Sequence, residues 1–396
     1  MSVADAQRFD VVVAGAGLPG LSLATALARS GLAVALADGA AIAAPEPEPS
    51  TYDPRVYAVS PGSAQFLRAV GAWQQLPCAR VAAIESMQVQ GDAGAVLAFS
   101  AYDLGERALA WVVEERALRA ALLQSAYDAG VTMFGGSPFV GLFFTADHAV
   151  LTLRGDEERA LCARLLVAAD GLRSWVRQAA GMTAEPRSYG QTGVVANFAC
   201  ERAHHGVARQ WFRGDGSVLA WLPLPGRNLS IVWSAPDAVA AELLALDRAA
   251  LARRVADAGG RVLGALTAIS GSAGFPLSIL RLPTTVAHRL ALVGDAAHGV
   301  HPLAGQGVNL GFGDALALAQ VLSERGPVGD PGAPILLTRY VRRRVEPVLA
   351  MQAVTDGLAR LFGARAPWLS ALRNAGMAAV DRLPALKRAL AQPALR

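Results

Sequence analysis

The stretch FDVVVAGAGLPGLSLATALARSGLAVALAD, residues 9–38, decides how the chain folds. Residues 9–14 are apolar apart from Asp10, a run that suits a strand buried on both faces of a parallel sheet. Gly15, Gly17 and Gly20 then complete the pattern G-x-G-x-x-G. Residues 21–30 continue at helical spacing, Gly31 closes that helix, and residues 32–37 form a second strand ending in Asp38. The glycines allow a tight turn and close approach of the backbone to a pyrophosphate at the helix N-terminus. The terminal carboxylate can accept from a ribose 2′-hydroxyl. An acid at that point disfavours a 2′-phosphate, so FAD or NAD is expected rather than NADP. The fold class is α/β.

A second Gly-rich unit lies far along the chain. Residues 289–315 read RLALVGDAAHGVHPLAGQGVNLGFGDA: a short apolar strand, then Gly294-Asp295, then glycines leading into a helix that begins near Gly307. This arrangement also suits a polar cofactor. Metal binding by Asp295, His298 and His301 is a poor alternative, because Pro302 interrupts the segment and no fourth ligand is evident. A third unit is the apolar strand of residues 164–169 followed by Asp170-Gly171-Leu172-Arg173-Ser174-Trp175-Val176-Arg177. Here Asp170 can cap the next helix, and Arg173 and Arg177 offer charge to a pyrophosphate.

Composition narrows the function. The chain has 396 residues, 53% of them hydrophobic, enough for two or three folded domains. A net charge of +4 makes no case for nucleic acid. Lys387 is the only lysine, so a P-loop lysine is excluded and a Schiff-base lysine is implausible outside the C-terminal tail. The three cysteines, Cys78, Cys162 and Cys200, are too widely spaced for a metal or redox pair and suit a reduced, cytoplasmic setting. The uncharged run of residues 11–28 holds three glycines and a proline and lacks a basic flank. It reads as buried strand, loop and helix, and no transmembrane span is expected.

Between these units the pattern changes. Residues 86–90 and 95–100 read as short strands, and residues 114–129 as an amphipathic helix. Residues 193–269 read as an antiparallel sheet with one covering helix, in which Trp211, Phe212, Trp221, Leu222 and Trp233 either line an aromatic cavity or, as is more common, pack a core. Residues 336–362 read as a helix kinked or broken at Pro347, and residues 367–390 as one or two further amphipathic helices.

Taken together, these motifs resemble those of the FAD-dependent aromatic hydroxylases of ubiquinone biosynthesis, which share the fold of p-hydroxybenzoate hydroxylase. The Gly294-Asp295 stretch resembles their "GD" motif, residues 170–177 match D-G-x-x-S-x-V-R at every fixed position, and residues 53–63 resemble D-x-R-x-x-A-x-S-x-x-S. The resemblance spans almost the whole chain. It implies a discontinuous Rossmann-like FAD-binding domain (residues 1–75, 103–180 and 275–330), an antiparallel-sheet substrate domain (76–102 and 181–274) and a C-terminal helical region (331–396).

The resemblance also implies roles for single residues. Asp295 would hydrogen-bond the ribityl chain, and Pro302, Gly305, Gln306, Gly307 and Asn309 would lie along the isoalloxazine ring. Arg55 would sit beside FAD, and Asp170 with Gly171 would touch FAD and a passing nicotinamide. The implied activity is ring hydroxylation of a polyprenylated phenol with O₂. Because only one G-x-G-x-x-G exists, NAD(P)H binds transiently or another donor supplies electrons. No acid–base constellation is expected in the protein, since the cofactor carries the chemistry. A soluble aromatic hydroxylase of the same fold and a non-catalytic flavin-fold scaffold stay open as alternatives. So do a ubiquinone-biosynthesis complex, a homo-oligomer and peripheral contact of the C-terminal helices with the inner membrane face.

Overall fold

The computed structural model describes residues 6–45, 51–155, 158–300, 307–326, 328–363 and 367–395. Its first sheet has eight strands and is parallel at its centre. Strand Gln7–Ala14 pairs in parallel with Val34–Ala37 on one side and with Arg159–Ala168 on the other, and the latter pairs in parallel with Leu290–Leu292. Thr132–Phe134 extends the parallel edge beyond Val34–Ala37. Residues 139–153 form the hairpin Phe139–Phe144 and Ala149–Leu153, which joins the same sheet through Arg159–Ala168. Val11, Val13, Leu165, Val167 and Ala291 are buried on one face of this sheet and Val12, Leu166, Leu290 and Leu292 on the other, which is why these strands read as nearly unbroken apolar runs.

The second sheet, also eight-stranded, is built on Arg187–Cys200, Val207–Phe212, Val218–Leu224 and Asn228–Pro236. Ser86–Gln90 joins it by parallel pairing with Val207–Phe212, and Val96–Ser100 follows as a hairpin partner. Two helices cover it rather than the expected one, Asp237–Ala245 and Arg248–Ala258. The break has a local cause: the Asp247 side chain accepts from the backbone N–H of Ala250 at 2.7 Å and starts a new helix.

A small sheet of Val56–Val59, Ala82–Ile84 and Ala110–Glu114 was not anticipated as a sheet. Pro347 lies inside one helix, Pro334–Gly363, and Pro367–Asp381 and Pro384–Leu395 complete the chain. Among the described residues no helix is long and apolar enough to cross a membrane.

Candidate flavin and substrate site

Sheet order brings the three distant motifs together. In the order Leu290–Leu292, Arg159–Ala168, Gln7–Ala14, the three strands run parallel and in register, with Ala168 opposite both Leu292 and Ala14. Their C-terminal ends therefore present Asp295, Gly171 and Gly17 side by side, where the helix N-termini of such folds face a ligand. Backbone bonds continue past the strand ends: Ala169 N–H donates to Ala14 O at 2.7 Å and Val293 N–H to Ala168 O at 2.9 Å.

Packing between helices tightens the junction. Gly311, on helix Gly307–Ser323, leaves room for Pro19 of helix Leu18–Arg29; a Cβ there would lie 2.7 Å from Pro19 Cγ. Gly294 (φ +60°) meets the same proline. Arg177 then stitches two loops. It is fully buried and donates to Leu172 O and to Ala296 O, each at 2.9 Å. Its Nη1 and Nη2 serve the protein's own carbonyls, Nε is buried without a partner, and the side chain does not line the cavity, so it is not the ligand-facing charge the sequence suggested. Arg173 is exposed and stands outside the cavity lining.

A cavity of about 640 Å³ opens at this junction. Gly17, Arg55, Gly171, Asp295 and Gly307 all line it, and so do Tyr57 and Glu115. The three fingerprint glycines differ in what they accommodate. Gly15 has φ +112°, and a Cβ there would lie 2.3 Å from Ala169 O; a Cβ on Gly20 would lie 2.0 Å from Gly15 O. Both are required by the fold itself. Gly17 has φ −72°, and its nearest neighbour would be 4.0 Å away, so only the cavity has use for its missing side chain. Asp38 accepts from Ala16 N–H at 2.6 Å and from Ala40 N–H at 2.8 Å, which fixes the loop and leaves further lone pairs for a ribose.

Asp295 keeps accessible surface because it faces the cavity, yet protein surrounds it, and this desolvation raises its carboxyl above the ordinary range. Burial likewise raises Asp170, whose Oδ2 accepts from Val176 N–H at 3.1 Å while its Oδ1 is buried without a partner. Ser174 provides the N-cap of the following helix. Arg55 pairs with Glu115 at 3.0 Å and lies 4.3 Å over the ring of Phe275; burial opposes its charge, but Glu115 and Tyr57 outweigh that and raise it.

Asn309 turns away from its expected place. Its side chain donates to Ala58 O at 2.9 Å and accepts from Ser60 N–H at 3.0 Å, and it does not line the cavity. The amide is committed to joining helix Gly307–Ser323 to the small sheet. Pro302, Gly305 and Gln306 lie outside the described residues, as does His301.

Two features escaped the sequence reading. Arg119 donates to Ala16 O at 3.0 Å across 103 residues, which puts a guanidinium beside the Gly-rich turn. Beneath Gly294-Asp295 lies a buried cluster: Asp314 accepts from Gly294 N–H at 2.8 Å, from Arg344 Nε at 2.6 Å and from His298 Nε2 at 2.6 Å. Burial works against both charges of this cluster. Mutual attraction outweighs it, raising His298 above the ordinary histidine value and lowering Asp314 below the ordinary carboxylate value. No local signal marks these residues, because their partners are set by helix crossing.

The other wall of the cavity is apolar and comes from the antiparallel sheet: Val195, Ala208, Ala220, Leu222 and Val232. The tryptophans lie on the opposite face. Trp211, Trp221 and Trp233 are buried under the two covering helices with Leu243, Leu251 and Val255, so of the five aromatic-cavity candidates only Leu222 reaches the cavity. Phe212 stacks on Phe362 at 3.8 Å. Leu390, Ala391 and Leu395 of the last helix also line the cavity.

Residues 8–356 match the family model described as FAD binding domain. The chain belongs to that family. This flavoprotein is 35% identical over 388 residues to the ubiquinone hydroxylase UbiL of Rhodospirillum rubrum, covering 96% of this chain and 87% of that one. It is 34% identical to the 3-demethoxyubiquinol 3-hydroxylase of Escherichia coli over 389 residues, covering 96% and 97%. Among solved structures it resembles PqsL of Pseudomonas aeruginosa in complex with 2-aminobenzoylacetate, at 26% identity and a TM-score of 0.77, covering 94% and 99%. The flavoprotein's cradle suits FAD on its own geometry: an open glycine at a helix N-terminus and an acid facing the cavity, with the unpartnered Asp170 Oδ1 beside the cavity-lining Ala169 and Gly171 but not itself in the lining.

Proposed function

We propose that this flavoprotein hydroxylates the aromatic ring of a polyprenylated phenol on the route to ubiquinone. The observation that carries the reading is the continuity of one cavity. Its lining joins the Gly17–Asp295 junction, an apolar sheet face and the C-terminal helix, which supports a ring held near the flavin with an apolar chain along the sheet face. The relatives named as ubiquinone-pathway hydroxylases support it.

In this reading the N-terminus of helix Leu18–Arg29, with Gly15, Gly17, Gly20 and Arg119 around it, holds the pyrophosphate. Asp38 takes the ribose, Asp295 the ribityl hydroxyls, and Gly171 gives close backbone approach. Arg55, held by Glu115 and Phe275, borders the ring system. Bound FAD supplies the redox and O₂ chemistry. The chain's own task is to orient the substrate ring and keep water out, which the apolar wall suits. NAD(P)H or another donor binds transiently.

The last helix supports peripheral contact with a lipid surface, since Leu386 and Leu390 are exposed beside the exposed Arg382 and Arg388, and Leu390 also lines the cavity. The test is turnover of purified holoprotein with a prenylated phenol, NAD(P)H and ¹⁸O₂. Incorporation of one labelled oxygen into the ring is expected. Turnover of short polar phenols alone would overturn the prenylated substrate, and a protein that carries FAD but oxidises no phenol would overturn the activity.

A further inference from the structure

The apolar side of the cavity contains one side chain that the fold leaves incomplete. Gln210 is only 5% exposed, lines the cavity, and its Oε1 has no hydrogen-bond partner. Among the described cavity-lining residues it is the only one with a buried, unpartnered side-chain polar atom. Buried amides are ordinarily satisfied, so an exception on a binding cavity points to a ligand that completes it.

Its place in the sheet gives the ligand a shape. Gln210 pairs with Ala220, Ala220 with Val232, and Val232 with Val195, and all four line the cavity. This single row across three strand pairs is an apolar floor ending in one hydrogen-bonding group. The two-residue period turns Trp211 and Trp221 to the opposite face, and the small Ala208 and Ala220 leave height for a planar ring above the floor. Of the neighbouring charged groups, Arg55 pairs with Glu115, and Arg209, also in the lining, makes one bond to Val207 O at 3.4 Å.

We propose that Gln210 positions the substrate by hydrogen-bonding a hydroxyl on its ring, and that it selects phenols over rings lacking that hydroxyl. This rests on the prenylated-phenol reading above. A hydroxyl suits either orientation of the amide, donating to Oε1 or accepting from Nε2, whereas a ring hydrogen suits neither.

The test is equilibrium binding to oxidised holoprotein, read from perturbation of the flavin absorbance, using a prenylphenol and the matching prenylbenzene. Wild type is expected to favour the phenol about tenfold, which is about 1.4 kcal/mol. Gln210→Leu is expected to bind both with the weaker affinity and to keep its affinity for FAD. Gln210→Met, closer in length, serves if the leucine variant does not fold. A variant that retains the tenfold preference overturns the proposal, as does a wild type that binds both compounds equally. A wild type that binds neither prenylated compound instead overturns the substrate reading beneath it.

Discussion

Replacing Gly17 by alanine separates what the cofactor needs from what the fold needs. At φ −72° an alanine meets no backbone strain, and its Cβ would have no protein atom closer than 4.0 Å. Two small terms then oppose each other in the unliganded protein. Alanine is a worse N-cap than glycine by roughly 0.5 kcal/mol, and it restricts the unfolded chain by about 0.4–1 kcal/mol in favour of folding. Stability should change by no more than about 0.5 kcal/mol. The ligand is affected differently, because the new methyl would line the cavity at the helix N-terminus proposed to hold the pyrophosphate. Loss of one charge-assisted hydrogen bond is worth about 1.5–3 kcal/mol, so FAD affinity should fall roughly 10- to 150-fold.

Gly15→Ala is the matched control. It forces a Cβ to 2.3 Å from Ala169 O at φ +112°, which pushes adjacent parallel strands apart. It should cost about 2–6 kcal/mol in strain and overpacking. Apoprotein from each variant is titrated with FAD by quenching of flavin fluorescence and melted without ligand. If Gly17→Ala binds FAD within twofold of wild type, or melts as low as Gly15→Ala, the assignment of the cradle is wrong.

Removing Asp314 as Asp314→Ala leaves Gly294 N–H, His298 and Arg344 without their shared acceptor. Urea unfolding should show a loss of about 3–5 kcal/mol, and FAD binding should weaken with it because the Asp295 loop loses its support. The same cluster predicts a pH dependence. The contribution of His298, whose value is raised above 6.5, is full below that pH and is lost as pH climbs through the raised value; that of Asp314, lowered, is lost only as pH falls through its depressed value. His298→Gln should therefore flatten the decline in apoprotein melting temperature as pH is raised above 6.5; an unchanged decline would show that another group titrates. Gly259→Ala drives a Cβ to 2.2 Å from Trp221. Thermal melts should fall by about 1–3 kcal/mol in stability with FAD affinity intact, since Trp221 backs the far side of the substrate sheet.

What residues 9–38 and their two distant counterparts determined by themselves is considerable. Strand, glycine turn, helix and terminal acid are local patterns, and each has one stable way to fold. Sheet adjacency then follows from burying unbroken apolar strands on both faces, which gathers Gly17, Gly171 and Asp295. Local patterns say nothing about where a polar side chain ends. Arg177 looked ligand-facing and is sealed between two loops; Asn309 looked like a flavin contact and ties helix to strand across about 250 residues. Arg119 and Asp314 carried no signal because their partners arrive only when helices cross.

The substrate wall shows the division best. Residues 207–212 read VARQWF, without strict alternation, so the sequence leaves open which face meets the cavity. The covering helices decided it: three tryptophans are buried under Leu243, Leu251 and Val255, where their apolar surface is removed from water. Gln210 faces the cavity because Trp211 does not.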